Sequence, residues 1–192
     1  MKTLIFAICI LFLTVPCMAA DVSLAWDASV SSGVTGYKVY VGGASRAYGA
    51  PITIGNQTTY TVTGLGPGTY FFAVSAFDVD GNESDYSNEV SQAIYSPLII
   101  TVTPAQLAAM AGKPFTATFT AQGGAGQYAY QVVGTLPAGI ALNIGTGILA
   151  GTPLQAGNFT FTVKVTDAAN QTATIAVTMK VSLAAPTGLS VK

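Results

Sequence analysis

The residues of this sequence that could do chemistry are few, and most of them lie in one short acidic stretch. The sequence contains no histidine, and its two cysteines, Cys9 and Cys17, both lie near the N-terminus. The rest of the chain therefore lacks Ser-His and Cys-His nucleophilic machinery and the usual zinc ligands. Paired carboxylates of the glycosidase type are the catalytic arrangement that remains. Because five of the eight acidic residues fall in a single predicted hairpin, we predict that the protein is not an enzyme.

The acidic stretch offers hard oxygen ligands of the kind that calcium prefers. They are Asp78, Asp80, Asn82, Glu83 and Asp85. Their spacing does not match an EF-hand, in which the loop glycine is sixth, because Gly81 is fourth counted from Asp78. The alternative is a tight turn, since Asp80-Gly81 suits a hairpin that needs positive φ. We favour the turn, expect no cofactor, and keep calcium as the alternative.

Aromatic residues give a second candidate site. Tyr40 and Phe71 alternate away from the predicted core on two different strands, and Tyr48 and Tyr86 lie in predicted loops. An exposed aromatic patch is typical of a partner surface, for a protein or for the flat face of a sugar ring. Two other interpretations stay open. The four rings could form ordinary cross-strand pairs that shield the sheet, or they could be buried against a second domain.

The N-terminus is typical of a secretory signal peptide. Residues 1–20 combine Lys2, an apolar run and a small-residue stretch that ends in Ala19-Ala20. The apolar run is about half the ~20 residues that a transmembrane helix needs, so we expect no membrane span. The predicted mature chain starts near Asp21, has no cysteine and is exported to the extracellular space, the periplasm or the cell surface.

The charges of the predicted mature chain argue against two classes of partner. It carries six basic and eight acidic residues, and the basic ones are scattered along the chain. Nucleic acids and anionic lipids are bound by clustered Lys and Arg, so neither is expected as a partner.

The elements that must position these residues are short β-strands. Apolar and polar residues alternate in many segments, as in Tyr70 to Ala76, and Gly-rich turn signals separate the segments. The alternation predicts an all-β fold of two sandwiches. Its predicted core and structural residues are Trp26, Tyr37, Leu65, Tyr70 and Phe72 in the first half and Phe159 and Phe161 in the second.

Residues 21–95 resemble a fibronectin type III domain of exported bacterial proteins. The resemblance rests on Leu24-Ala25-Trp26-Asp27, Gly36-Tyr37-Lys38-Val39-Tyr40, Thr61-Val62-Thr63-Gly64-Leu65 and the long run from Pro67 to Asp78. It implies an immunoglobulin-like sandwich with Trp26 in the core and Tyr70 as the corner tyrosine.

After a hinge at 95–97, residues 98–183 resemble the immunoglobulin-like (cadherin-like) repeats of bacterial surface proteins. The resemblance rests on Leu136-Pro137-Ala138-Gly139, Gly151-Thr152-Pro153, Gly157-Asn158-Phe159 and Val165-Thr166-Asp167. The fold class expected from both resemblances is two tandem immunoglobulin-like β-sandwiches after a cleaved signal peptide. Cadherin-like relatives bind calcium, but Asp167 is the one acidic residue in this region.

The function that these observations indicate is a non-catalytic extracellular module for binding, adhesion or spacing, with a protein or polysaccharide partner at the cell surface. A carbohydrate-binding accessory role is one alternative. A second alternative concerns residues 184–192. This segment resembles the opening strand of a fibronectin type III domain in its sequence Ala185-Pro186-Thr187-Gly188-Leu189-Ser190-Val191-Lys192. Strand donation by this tail to a neighbouring molecule would make the protein a subunit of a head-to-tail fibre.

Overall fold

A computed structural model describes residues 19–185, and all regular structure in this range is β-strand. No helix suited to crossing a membrane occurs in that part of the chain. The predicted signal peptide lies almost wholly, and the tail mostly, outside the described residues. Internal contacts divide the chain into two units, 1–94 and 95–192, which are the first and second domains below.

The first domain contains six strands in two sheets. They are β1 (Ala20–Ala25), β2 (Val34–Gly42), β3 (Ile52–Gly55), β4 (Thr59–Leu65), β5 (Gly68–Asp78) and β6 (Val90–Ile94). One sheet is the antiparallel pair β1-β4, and the other has the order β3-β2-β5-β6. The strands form where apolar residues alternate with polar ones, because one face of each sheet packs on the other sheet.

The core of the first domain is small. Its core cluster has three buried residues, Val39, Val62 and Phe72. Partly buried residues surround this cluster, and among them are Val22, Leu24, Trp26, Leu65 and Tyr70. The Trp26 ring meets the Tyr37 ring edge-on with their centroids 5.6 Å apart.

The second domain contains eight strands in two sheets of four. They are β7 (Ile99–Thr103), β8 (Leu107–Met110), β9 (Phe115–Gln122), β10 (Ala129–Gly134), β11 (Ile140–Leu142), β12 (Ile148–Gly151), β13 (Gly157–Thr166) and β14 (Thr172–Ser182). The sheet orders are β10-β13-β14-β8 and β11-β12-β9-β7. The opening strands β7 and β8 therefore join opposite sheets, and β8 runs parallel to β14 at the end of the chain.

The core of the second domain is larger than that of the first. Twelve buried residues form one cluster, including Phe119, Leu149, Phe161 and Met179, and Phe159 packs against it while partly buried. Asp167 is 5% exposed, and its carboxylate accepts hydrogen bonds from the backbone N–H groups of Ala125, Ala169 and Gln171 at 2.7–2.9 Å. This acidic residue therefore closes the turns at one end of the sandwich.

Candidate functional site

Pairing between the two central strands of the first domain places Tyr40 on the outer face of the larger sheet. Tyr40 lies opposite Ala73, and Lys38 lies opposite Ser75, on the face that points away from the buried Val39 and Phe72. The chain then returns along β5 after the acidic hairpin. Ser84 and Ser87 donate backbone hydrogen bonds to the carbonyls of Ala76 and Val74 at 2.9 and 2.8 Å, which brings the intervening Tyr86 to the same region.

Three tyrosine rings meet on this face and form what we call the tyrosine cluster: Tyr40, Tyr48 and Tyr86. The ring centroids of Tyr40 and Tyr86 are 4.8 Å apart, those of Tyr48 and Tyr86 are 5.4 Å apart, and those of Tyr40 and Tyr48 are 5.9 Å apart. Interplanar angles of 51–76° give mostly edge-to-face contacts, which aromatic quadrupoles favour. Each ring is thus supported by the other two.

Glu83 anchors one side of the tyrosine cluster. The Tyr40 hydroxyl and the Ser75 hydroxyl both donate to Glu83 Oε1, and Lys38 Nζ pairs with Glu83 Oε2 at 2.5 Å. The Lys38 ammonium, followed by the Ser75 and Tyr40 hydroxyls, lowers the pKa of the Glu83 carboxyl to about 2. The Glu83 carboxylate is therefore ionised at neutral pH, and both of its oxygens accept hydrogen bonds.

Glu89 anchors the other side in a similar way. Its carboxylate accepts hydrogen bonds from the Tyr48 hydroxyl at 2.5 Å and from the Ser45 hydroxyl and the Arg46 backbone N–H at 2.7 Å. These donors, the Tyr48 hydroxyl first, lower the pKa of Glu89. Glu89 was not among the candidate site residues predicted from the sequence. The one signal that could have found it is its place among the acidic residues that follow β5.

Both anchored tyrosines are unusually hard to ionise. Burial, together with the hydrogen bond to Glu83, raises the pKa of Tyr40 to about 12, and burial with the hydrogen bond to Glu89 does the same for Tyr48. Both hydroxyls therefore stay protonated at neutral pH and act as donors to carboxylates. Neither of these two hydroxyls has a pKa suited to proton transfer near pH 7.

The three rings of the cluster differ in exposure. Tyr40, a candidate for a partner surface, is only 8% exposed, because Tyr48 and Tyr86 cover it. Tyr86 is 54% exposed and forms the outer surface of the cluster. Phe71 lies opposite Gly42 on the same sheet face and is partly buried, and it forms no ring pair with the three tyrosines.

Three of the five residues proposed as calcium ligands, Asp78, Asp80 and Asn82, bond to one another within one turn. The Asp78 carboxylate accepts hydrogen bonds from the backbone of Asp80 and from both the backbone and side-chain nitrogens of Asn82, and the Asn82 bonds lower its pKa. Glu83 is directed to the tyrosine cluster instead, and Asp85 is exposed. Between residues 19 and 185 no three acidic, cysteine or histidine side chains are grouped for a metal ion. The stretch forms the turn that was the favoured interpretation.

A groove of about 590 Å³ lies beside β1 in the first domain. On one side it is lined by β1 and the residues that follow it, from Leu24 to Asp27, and on the other by the returning chain from Ser84 to Asn88. The inner faces of Tyr37, Phe72 and Val74 also line it. The indole Nε1 of Trp26 is buried with no hydrogen-bond partner among the described residues. A buried donor without an acceptor typically costs about 1–3 kcal/mol.

Comparison with family models finds a match in each half of the chain. A model described as "Fibronectin type III domain" matches residues 12–93. A model described as "Putative Ig domain" matches residues 97–182.

Individual proteins are also similar to this chain. Chitinase A1 from Niallia circulans is 35% identical over 184 residues, a match that covers 88% of this chain and 24% of the chitinase. The chain thus spans about a quarter of the length of that relative. Among solved structures, the C-terminal fragment of intimin in complex with its receptor's intimin-binding domain has a TM-score of 0.49 at 20% identity, covering 86% of this chain and 58% of that one. The amphioxus IgVJ-C2 molecule has a TM-score of 0.49 at 15% identity, covering 83% and 96%.

Proposed function

Because the chain carries a fibronectin type III domain followed by a domain of the type described as "Putative Ig domain", we propose that it is a non-catalytic binding module of an exported protein. Folds of this kind host many functions, so the proposal rests on the site rather than on the fold. The best-placed carboxylates, Glu83, Glu89 and Asp167, are each occupied by two or more structural hydrogen bonds. A signal-like N-terminus supports export.

The observation that carries the proposal is the exposed ring of Tyr86. It is 54% exposed and rests on Tyr40 and Tyr48, which are themselves tied to carboxylates. A ligand that packs on this ring meets a surface that is already ordered, so little side-chain entropy is lost on binding. Rigid aromatic anchors of this kind dominate the binding energy at many interfaces.

Among ligands we favour a polysaccharide. A sugar ring offers a flat apolar face that can stack on Tyr86, and its hydroxyl groups can pair with the exposed polar side chains of the hairpin from Asp80 to Asn88. The similarity to Chitinase A1 supports this choice, since a protein with that name acts on chitin. The module would then serve as an accessory that holds its protein on an insoluble substrate.

Retention on insoluble polysaccharide tests this proposal. The exported protein is mixed with chitin or with cellulose, and the bound fraction is measured across a range of polysaccharide concentrations. We expect Tyr86→Ala to weaken retention by about tenfold or more, as for an interface anchor. The matched control is Tyr95→Ala, which removes a tyrosine that is 41% exposed in the other unit and should leave retention unchanged.

The two variants also separate the proposal from its alternative. Trp26 fluorescence, which reports on the first domain, checks that Tyr86→Ala is folded. If the unmodified protein is retained on neither polymer, the polysaccharide proposal is wrong. The remaining candidate is then a spacer, a role supported by two sandwiches joined in tandem with a short hinge.

A further inference from the structure

The edge of β1 in the first domain lacks a partner strand within the described residues. β1 pairs with β4 alone. The Trp26 backbone N–H donates to the Thr58 carbonyl at 3.0 Å, so these two residues form a hydrogen-bonded pair. In an antiparallel ladder every second pair is hydrogen-bonded. Ser23 and Ala25 belong to the pairs between, and their N–H and C=O groups therefore point away from β4. Such a row of free backbone groups is a template for strand addition.

The groove beside this edge exposes part of the core of the first domain. The side chains of Val22, Leu24 and Trp26 lie on the core-facing side of β1, yet all three are only partly buried. Val90, across the groove, is 48% exposed. Trp26 also lines the groove. An added strand would cover these side chains.

The second domain shows how the same gap is closed elsewhere in this chain. There the opening strands pair on both sheets, and β8 fills the edge beside β14. Leu107 of β8 is 3% exposed and belongs to a buried cluster of twelve residues, whereas the corresponding core cluster of the first domain has three members. Within residues 19–185, the first domain therefore differs from its neighbour by a strand at this position.

We propose that residues 186–192 of a second copy of the chain occupy this groove as the missing strand. Leu189 and Val191 alternate with Gly188 and Ser190, so a strand here has one apolar face for the groove and one small polar face for solvent. Seven extended residues span about 23 Å, which is enough to pair along the six residues of β1. Pro186, at the first position, has no N–H to lose.

The path of the chain through the second domain indicates that residues 186–192 of another molecule, and not of the same one, fill the groove. The chain enters this domain at Ser96, whose carbonyl accepts from Gly124 N–H at 2.8 Å, and it leaves at the opposite end, where the Ser182 carbonyl accepts from Ala111 N–H at 2.9 Å. The ten residues after Ser182 reach at most about 35 Å. β14 has about the same length. Even fully extended, these residues would therefore reach only as far as the end of the domain at which Ser96 lies. A groove and a donor on different domains make a heterologous contact, which gives a ring where it closes and a head-to-tail filament where it does not.

The test uses the full chain, exported with its own leader, and its N-terminus is determined by mass spectrometry. Light scattering after size exclusion gives the molar mass across two decades of concentration. We expect the mass of the unmodified protein to rise at least twofold with concentration. Replacing the apolar face, with Leu189→Asp and Val191→Asp together, should leave a monomer. The matched control replaces the opposite face of the same segment, with Gly188→Asp and Ser190→Asp, and should still assemble.

A second pair of variants tests the acceptor. Ala25→Pro removes an N–H that points to the free edge without disturbing the bonds to β4, so it should also give a monomer, whereas Ala25→Thr should assemble. Trp26 emission confirms folding and should shift to shorter wavelength on assembly. The proposal is overturned if the unmodified protein stays monomeric, as it would if residues 12–18 were retained and filled the groove. It is also overturned if the Leu189 and Val191 variant assembles as the unmodified protein does.

Discussion

Protonation of Glu83 measures how strongly its network stabilises the first domain. Its bonds to Lys38, Ser75 and Tyr40 lower the pKa of the Glu83 carboxyl from 4.5 to about 2. As the pH falls, the unfolded chain therefore takes up this proton before the folded one does. The stabilisation is fully present above pH 4.5 and is lost as the pH falls from 4.5 to about 2.

The magnitude follows from the same two values. A lowering of the pKa from 4.5 to about 2 corresponds to between about 3 and 4 kcal/mol before solvent screening is considered. The Glu83 side chain is 28% exposed and that of Lys38 is 25% exposed, so solvent screens the pair. We therefore expect a contribution of about 1–2 kcal/mol to the free energy of unfolding at neutral pH.

The assay is denaturant unfolding followed by Trp26 fluorescence, with Glu83→Gln beside the unmodified protein. Trp26 is the one tryptophan of the sequence and lies in the first domain, so its signal is specific for that domain. The variant should be less stable by about 1–2 kcal/mol at pH 7, and the difference should shrink to near zero as the pH approaches 2. Asp85→Asn, which neutralises an exposed carboxylate of the same loop, is the control and should change little. A difference that does not depend on pH would refute the assignment.

Three further predictions follow from contacts described above. Asp167→Ala should lower the free energy of unfolding of the second domain by about 3 kcal/mol or more, because three backbone N–H groups lose a charged acceptor, and far-UV circular dichroism should show this while the Trp26 transition stays in place. Gly147→Ala should lower the free energy of unfolding of the second domain by at least about 1 kcal/mol, because the φ of Gly147 is +70° and a Cβ would overlap the Phe119 carbonyl. Gly145→Ala should leave that free energy nearly unchanged. Tyr40→Phe should remove a component near pH 12 from the ultraviolet titration of tyrosine, and loss of a component near pH 10 would contradict the assigned pKa.

Alternation in the sequence is enough to predict the all-β fold. In β13 the residues Phe161, Val163 and Val165 are buried while the polar residues between them are not, because a strand has a strict period of two and one face meets a core. The turn at Asp80-Gly81 is equally local, and the side chain of Asp78 closes it. Features that depend on neighbours within a few residues are therefore accessible from sequence.

The tyrosine cluster was only partly accessible in this way. Alternation correctly places Tyr40 on the outer face of its sheet, but it carries no information about what lies above that face. Tyr86 reaches Tyr40 because residues 84–87 return along β5, and Glu83 meets Tyr40 across 43 positions of sequence. Contacts of this range depend on loop paths, which a pattern of period two does not specify. The exposed residue of the cluster is consequently Tyr86, and Tyr40 supports it from below.

The parallel pairing of β8 with β14 has a mechanical consequence. Leu107 to Met110 lie beside Met179 to Ser182, at the point where the chain leaves the second domain. A pulling force applied to the two ends of this domain runs along these strands, so it loads the hydrogen bonds between them together, in shear, rather than opening them one after another. We therefore expect the second domain to resist extension more strongly than the first. Among the described residues of the first domain, no parallel pair joins the first and last strands. Under tension the first domain should extend before the second.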